Sequence, residues 1–155
     1  FGLKTEQIDV IVHPQSIVHS LVQMVDGSMK AQMGLPDMKL PIQYAFTYPD
    51  RYKSESPRFN FLDYPTLTFE KADAATFRNL ELAYEALRKG GNMACTLNAA
   101  NEVAVDAFLK DKIKFLQIAE LNEACMTKIS FIAKPDYADY VATDAETRRL
   151  ALSLI

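Results

Sequence analysis

Ile17-Val18-His19-Ser20-Leu21-Val22-Gln23-Met24-Val25-Asp26-Gly27-Ser28-Met29-Lys30-Ala31-Gln32-Met33 is the stretch whose reading decides the fold. Two strand-like runs, residues 17–25 and 29–33, flank Asp26-Gly27-Ser28, and Asp-Gly between such runs signals a β-hairpin. Upstream, Ile8-Asp9-Val10-Ile11-Val12 is a β-branched run ending at His13, which Pro14 keeps extended; it predicts a buried strand. Downstream, Gly34-Leu35-Pro36-Asp37-Met38 leaves the sheet, and Leu40, Tyr44, Ala45 and Tyr48 recur at helical spacing until Pro49.

Residues 51–73 read as a connector rich in Pro, Ser and aromatics, with Leu67-Thr68-Phe69 its one strand-like piece. Beyond it the period becomes helical. Phe77, Leu80, Tyr84 and Leu87 form a stripe closed by Gly90-Gly91; Met93, Leu97, Ala100, Ala104, Ala107 and Phe108 form a second. Ile118, Leu121, Cys125 and Ile129 form a third, and Thr143-x-x-Glu146 predicts the capping box of a fourth helix burying Leu150 and Leu154. The fold class expected is α+β: a partial mixed β-sheet with a hairpin and a short helix, then a C-terminal four-helix bundle. The expected division is residues 1–50, a connector at 51–73, and a bundle at 74–155.

The chain has 155 residues, 49% of them hydrophobic, enough for a core. It opens on Phe1 rather than Met and reads as a piece of a longer polypeptide. A net charge of −3, from 17 basic and 20 acidic residues, offers no basic stripe for nucleic acid. No apolar run reaches the roughly 20 residues needed to cross a bilayer. Cys95 and Cys125, far apart and in apolar helical positions, read as buried thiols.

Scarce polar chemistry concentrates in His13-Pro14-Gln15-Ser16-Ile17-Val18-His19-Ser20, which holds both histidines of the chain. On an extended strand rising about 3.3 Å per residue they stand roughly 20 Å apart, so this segment alone makes no metal site. His13 reads as structural, its ring bonding a nearby backbone group. His19, with Ser16 and Ser20 close by, suits hydrogen bonding to a polar ligand held against the sheet. A Ser-His hydrolase is a further reading, although no nucleophile elbow accompanies it. Gly34-Leu35-Pro36-Asp37-Met38 reads equally as the wall of an apolar pocket and as a sheet-to-helix turn capped by Asp37. Asn98, Asn101 and Glu102 share one helical face and read as a clamp on the connector.

The series formed by residues 13–20, Asp26-Gly27-Ser28, Gly34-Leu35-Pro36-Asp37-Met38 with Pro41-Ile42, and Leu97-Asn98-Ala99-Ala100-Asn101-Glu102 resembles the 1-deoxy-D-xylulose 5-phosphate reductoisomerase family. The resemblance extends over nearly the whole chain. It implies an enzyme of non-mevalonate isoprenoid biosynthesis that rearranges and reduces its phosphosugar to 2-C-methyl-D-erythritol 4-phosphate with NADPH and a divalent metal, Mg or Mn. It also implies that the dinucleotide fold, acidic metal ligands, lid and phosphate-holding residues precede Phe1, so that this piece is inactive by itself, binds no cofactor or metal alone, and has no certain catalytic residue.

By motif position, residues 1–50 then correspond to the end of the catalytic domain. His19, Pro36 and Met38 correspond to substrate-binding residues, Met38 also to the wall beside the nicotinamide. The resemblance further implies a homodimer formed through the sheet, and a bacterial cytoplasmic enzyme with the plastid left open. A module that only dimerises through its sheet edges is the alternative from a different class.

Overall fold

The Asp26 carboxylate closes the hairpin by accepting from the Ser28 amide at 2.9 Å and the Ser28 hydroxyl at 2.6 Å. Those bonds, the hydroxyl's first, hold its carboxyl below the usual range. Gly27 between them takes a φ of +84°, where a side chain is strained. The computed structural model describes residues 2–73 and 75–155. They fall into two compact units: Val10–Ala72, and the described residues up to Asp9 together with Asp73–Ile155.

In the first unit β2 (Val18–Gln23) pairs antiparallel with β3 (Met29–Met33), and β1 (Ile11–Val12) pairs antiparallel with β4 (Glu70–Lys71). The α+β class is as expected, with two separate antiparallel ladders in place of one mixed sheet. The predicted buried strand is corrected: only Ile11–Val12 is strand, and Ile11 is 47% exposed. Its ladder is two residues long, too short to carry a covering layer. The strand expected at residues 67–69 falls just later, at Glu70–Lys71. Helix α1 (Lys39–Thr47) ends before Pro49, as its sequence predicts. Ile17 is the one buried hydrophobic side chain among the described residues of this unit.

The second unit is a bundle of α2 (Arg78–Lys89), α3 (Met93–Leu109), α4 (Phe115–Lys128) and α5 (Tyr137–Ser153). The start expected at residue 74 lies outside the described residues. A 3-10 turn at Thr5–Gln7 packs on α2, and the Tyr84 hydroxyl donates to the Ile8 carbonyl at 3.1 Å. Helix α3 lies against α2, α4 and α5. Its small residues Ala100 and Ala104 bring Ile118, Leu121, Cys125 and Ala151 into one core, while Leu82, Ala86, Met93 and Met126 make another.

Two helical expectations are corrected. In α2 the buried residues are Leu82 and Ala86, whereas Phe77 and Leu87 of the predicted stripe are 52% and 43% exposed. Helix α5 starts at Tyr137, so Thr143 lies buried mid-helix and the capping box is Asp136 with Asp139, whose carboxylates accept from each other's amides at 2.9 and 3.0 Å. Leu154, expected inside, is 40% exposed.

Asn92, fully buried, ties the bundle's loops. Its amide donates to the Ser130 carbonyl at 2.9 Å and to the Thr143 hydroxyl at 3.2 Å, while its oxygen accepts from the Ile132 amide at 3.0 Å. Both thiols are free. Cys125 is buried and Cys95 partly so, and burial pushes both up.

Candidate functional site

His19 occupies a β-bulge. Val18 stands opposite Met33 and Ser20 opposite Gln32, so two steps along β2 match one along β3 and His19 is the extra residue. A bulge bends its strand and re-aims a side chain, and bulges are frequent beside active sites. The His19 side chain is exposed, while the neighbouring Ile17 anchors the strand at 0% exposure.

The loop opposite begins at the same place. The Gly34 amide donates to the Ile17 carbonyl at 3.0 Å, and a Cβ on Gly34 would sit 3.2 Å from Leu40 Cδ1. Asp37 then starts α1, its carboxylate accepting from the Lys39 amide at 2.9 Å. The turn reading fits Asp37, whose carboxylate faces the backbone, while Pro36 and Met38 stand exposed, Met38 by 69%. The structure brings the loop's first residue onto the strand carrying His19. Among the described residues no hydrogen bond joins His19 to Pro36 or Met38.

The rest of the histidine motif is structural. His13 Nδ1 donates to the Thr68 carbonyl at 2.8 Å and its ring stacks on Phe69 at 4.7 Å. Gln15 holds the same residue, donating to Thr68 Oγ1 at 2.8 Å and accepting from the Thr68 amide at 3.2 Å. Ser16 lies in a turn with a φ of +53°, its amide bonded to the His13 carbonyl. Neither Ser16 nor Ser20 hydrogen-bonds His19 among the described residues, which leaves the hydrolase reading without its nucleophile pair.

The expected clamp by Asn98, Asn101 and Glu102 on the connector is corrected. Asn98 donates to Glu102 at 3.1 Å, Glu102 accepts from Arg148 at 2.6 Å, and Asn101 accepts from Asn122 at 3.2 Å. These side chains join α3 to α5 and α4. Arg148, then Asn98, holds the Glu102 carboxyl below the usual range, and Arg78 does the same for Glu123. Asn122, on the buried face of α4, is the polar residue that periodicity passed over; an amide set among Ile118, Leu121 and Cys125 was its signal.

Among the described residues no three His, Cys, Asp or Glu side chains converge as metal ligands. Phosphate-cradling glycines in a strand-to-helix turn are also missing from the sequence.

The family model described as DXP reductoisomerase C-terminal domain matches residues 33–150. A 1-deoxy-D-xylulose 5-phosphate reductoisomerase of Phocaeicola vulgatus is 60% identical over all 155 residues, covering 41% of that relative, and one of Bacteroides fragilis is 57% identical, covering 40%. The chain thus spans about two fifths of the length of the curated relatives it matches. Among solved structures, the Zymomonas mobilis reductoisomerase in complex with NADPH superposes with a TM-score of 0.87 at 39% identity, covering 99% of this chain and 41% of that one. A DOX-P reductoisomerase in complex with NADPH, fosmidomycin and magnesium gives 0.89 at 39% identity, covering 99% and 40%. This chain belongs to the DXP reductoisomerase C-terminal domain family.

Proposed function

We propose that the chain is the C-terminal part of a reductoisomerase that converts 1-deoxy-D-xylulose 5-phosphate to 2-C-methyl-D-erythritol 4-phosphate with NADPH and a divalent metal. The observation that carries the reading is the bulge that leaves His19 exposed on β2, in a chain of this family whose exposed Pro36 and Met38 follow the Gly34 amide bonded to Ile17. His19 hydrogen-bonds the bound phosphosugar. Pro36 and Met38 form the apolar side of its pocket and, at Met38, of the nicotinamide site, where they exclude water from the reacting carbon. The metal and most of the cofactor are held by sequence outside this chain, so the 155 residues alone are inactive.

In this reading residues 1–50 complete the catalytic domain, 51–73 cross to the bundle, and 74–155 form it. The protein is a homodimer joined through the hairpin sheet and works in the bacterial cytoplasm. No described helix is long and apolar enough to cross a membrane.

The test is NADPH oxidation with 1-deoxy-D-xylulose 5-phosphate and magnesium, comparing this chain with the full-length enzyme. Turnover in the full-length enzyme alone is the expected result. Turnover by the 155 residues would overturn their dependence on the missing part, and silence in both would overturn the activity. Sedimentation of the full-length enzyme as a monomer at high concentration would remove the homodimer.

A further inference from the structure

Met38 is 69% exposed, so packing does not hold its side chain. Its direction is left to its backbone, and that backbone is already helical: φ is −66° and ψ −14°, and its carbonyl accepts from the Ile42 amide at 3.2 Å. Helical geometry thus reaches one residue ahead of α1, and Asp37 takes the capping place before it. The Asp37 carboxylate accepts from the Lys39 amide at 2.9 Å, a bond that closes over Met38. Of the next first-turn residues, Leu40 donates its amide to the Asp37 carbonyl at 3.4 Å and Pro41 has no amide hydrogen.

Helix α1 has no buried residue, so tertiary packing gives its first turn little support and the cap carries a larger share of its order. Upstream, the loop is tied where the Gly34 amide donates to the Ile17 carbonyl at 3.0 Å, a bond between backbone groups. The downstream tie depends on a side chain, that of Asp37. An ordinary cap stabilises a helix wherever it starts; here the residue enclosed by the cap is the one assigned to the pocket wall. Apparent affinity falls with the fraction of molecules that hold the binding-competent geometry, so a loosened Met38 registers in KM.

We propose that Asp37 is a positioning residue, which through the Lys39 amide fixes the backbone of Met38 and so the wall that Met38 forms. The proposal rests on the pocket reading of Met38 given above. The test is steady-state kinetics of the full-length enzyme with NADPH and 1-deoxy-D-xylulose 5-phosphate. Asp37→Ala is expected to raise KM about fivefold, the factor that matches loss of one side-chain cap, with kcat little changed. Asp37→Asn, whose side-chain carbonyl accepts the same bond, is expected to restore it, and in a Met38→Ala background Asp37→Ala is expected to add nothing. Asp37→Glu, whose longer arm carries the charge past the amide, gives the same readout should the alanine variant not fold. A normal KM in Asp37→Ala beside a raised KM in Met38→Ala would overturn the positioning role alone, as would an asparagine variant as impaired as alanine, or effects that add in the double variant. A normal KM in Met38→Ala would overturn the pocket reading and the positioning role with it.

Discussion

The bundle and the hairpin unit are similarly rich in apolar side chains, yet they spend them in opposite ways. The bundle buries Leu82, Met93, Ile118, Leu121, Cys125 and a row of alanines; the hairpin unit buries Ile17 and leaves Val22, Val25, Met29, Phe46 and Leu62 more than half exposed. An apolar face in water lacks the free-energy gain of burial, so the difference separates a part with its own core from a part with little core of its own.

The sharpest way to break that comparison is a pair of truncations. Leu82→Ala is expected to cost the bundle about 3 kcal/mol, and Phe46→Ala, at 88% exposure, less than about 0.5, both read by denaturant unfolding. Equal losses would mean that the two parts share one core. Next, Asn92→Ala removes three hydrogen bonds in a fully buried place and is expected to cost about 2 kcal/mol, with faster amide exchange at Ile132. Unchanged exchange there would show that the loops hold without it.

Met38→Ala sharpens the other side. In this chain its stability effect is expected to be near zero, because the side chain is exposed; in the full-length enzyme it is expected to weaken cofactor or substrate binding by about 1–3 kcal/mol, read from KM. The smallest effect is electrostatic. Glu102 and Glu123 have carboxyls lowered below their ordinary 4.5 by Arg148 and Arg78, so their contribution is full above that pH and is lost as pH falls through the lowered values. Arg148→Met is expected to flatten the acid limb of the bundle's stability curve slightly, since these pairs are exposed.

How far the sequence was legible follows the same division. The stripes of α3 and α4 were readable because Ala100, Ala104, Ile118, Leu121 and Cys125 recur at helical spacing and all are buried. Helix α5 hid its inner face, since Thr143, Thr147 and Ala151 carry little hydrophobic signal and the cap uses two aspartates. The hairpin announced itself through Asp26-Gly27, but the bulge at His19 did not: register is a property of two strands, and neither strand alone records the slipped residue. Pro36 and Met38 were legible as motif members, whereas the pairing of Asn101 with Asn122 needed two helices brought together.

The two-residue ladder between β1 and β4 has a topological consequence. Val12 lies opposite Glu70, with His13 and Gln15 both fastened to Thr68, so the intervening chain departs and returns through a neck about one strand spacing, roughly 5 Å, wide. Such an excursion can be lengthened or shortened at little entropic expense, about 0.6 kcal/mol for each doubling, because its ends stay where they are. The described residues up to Asp9 and those after Ala72 fall in one compact unit, so in chain order the hairpin unit is an excursion that leaves and rejoins it, and changes of length within that excursion leave the bundle's own sequence intact.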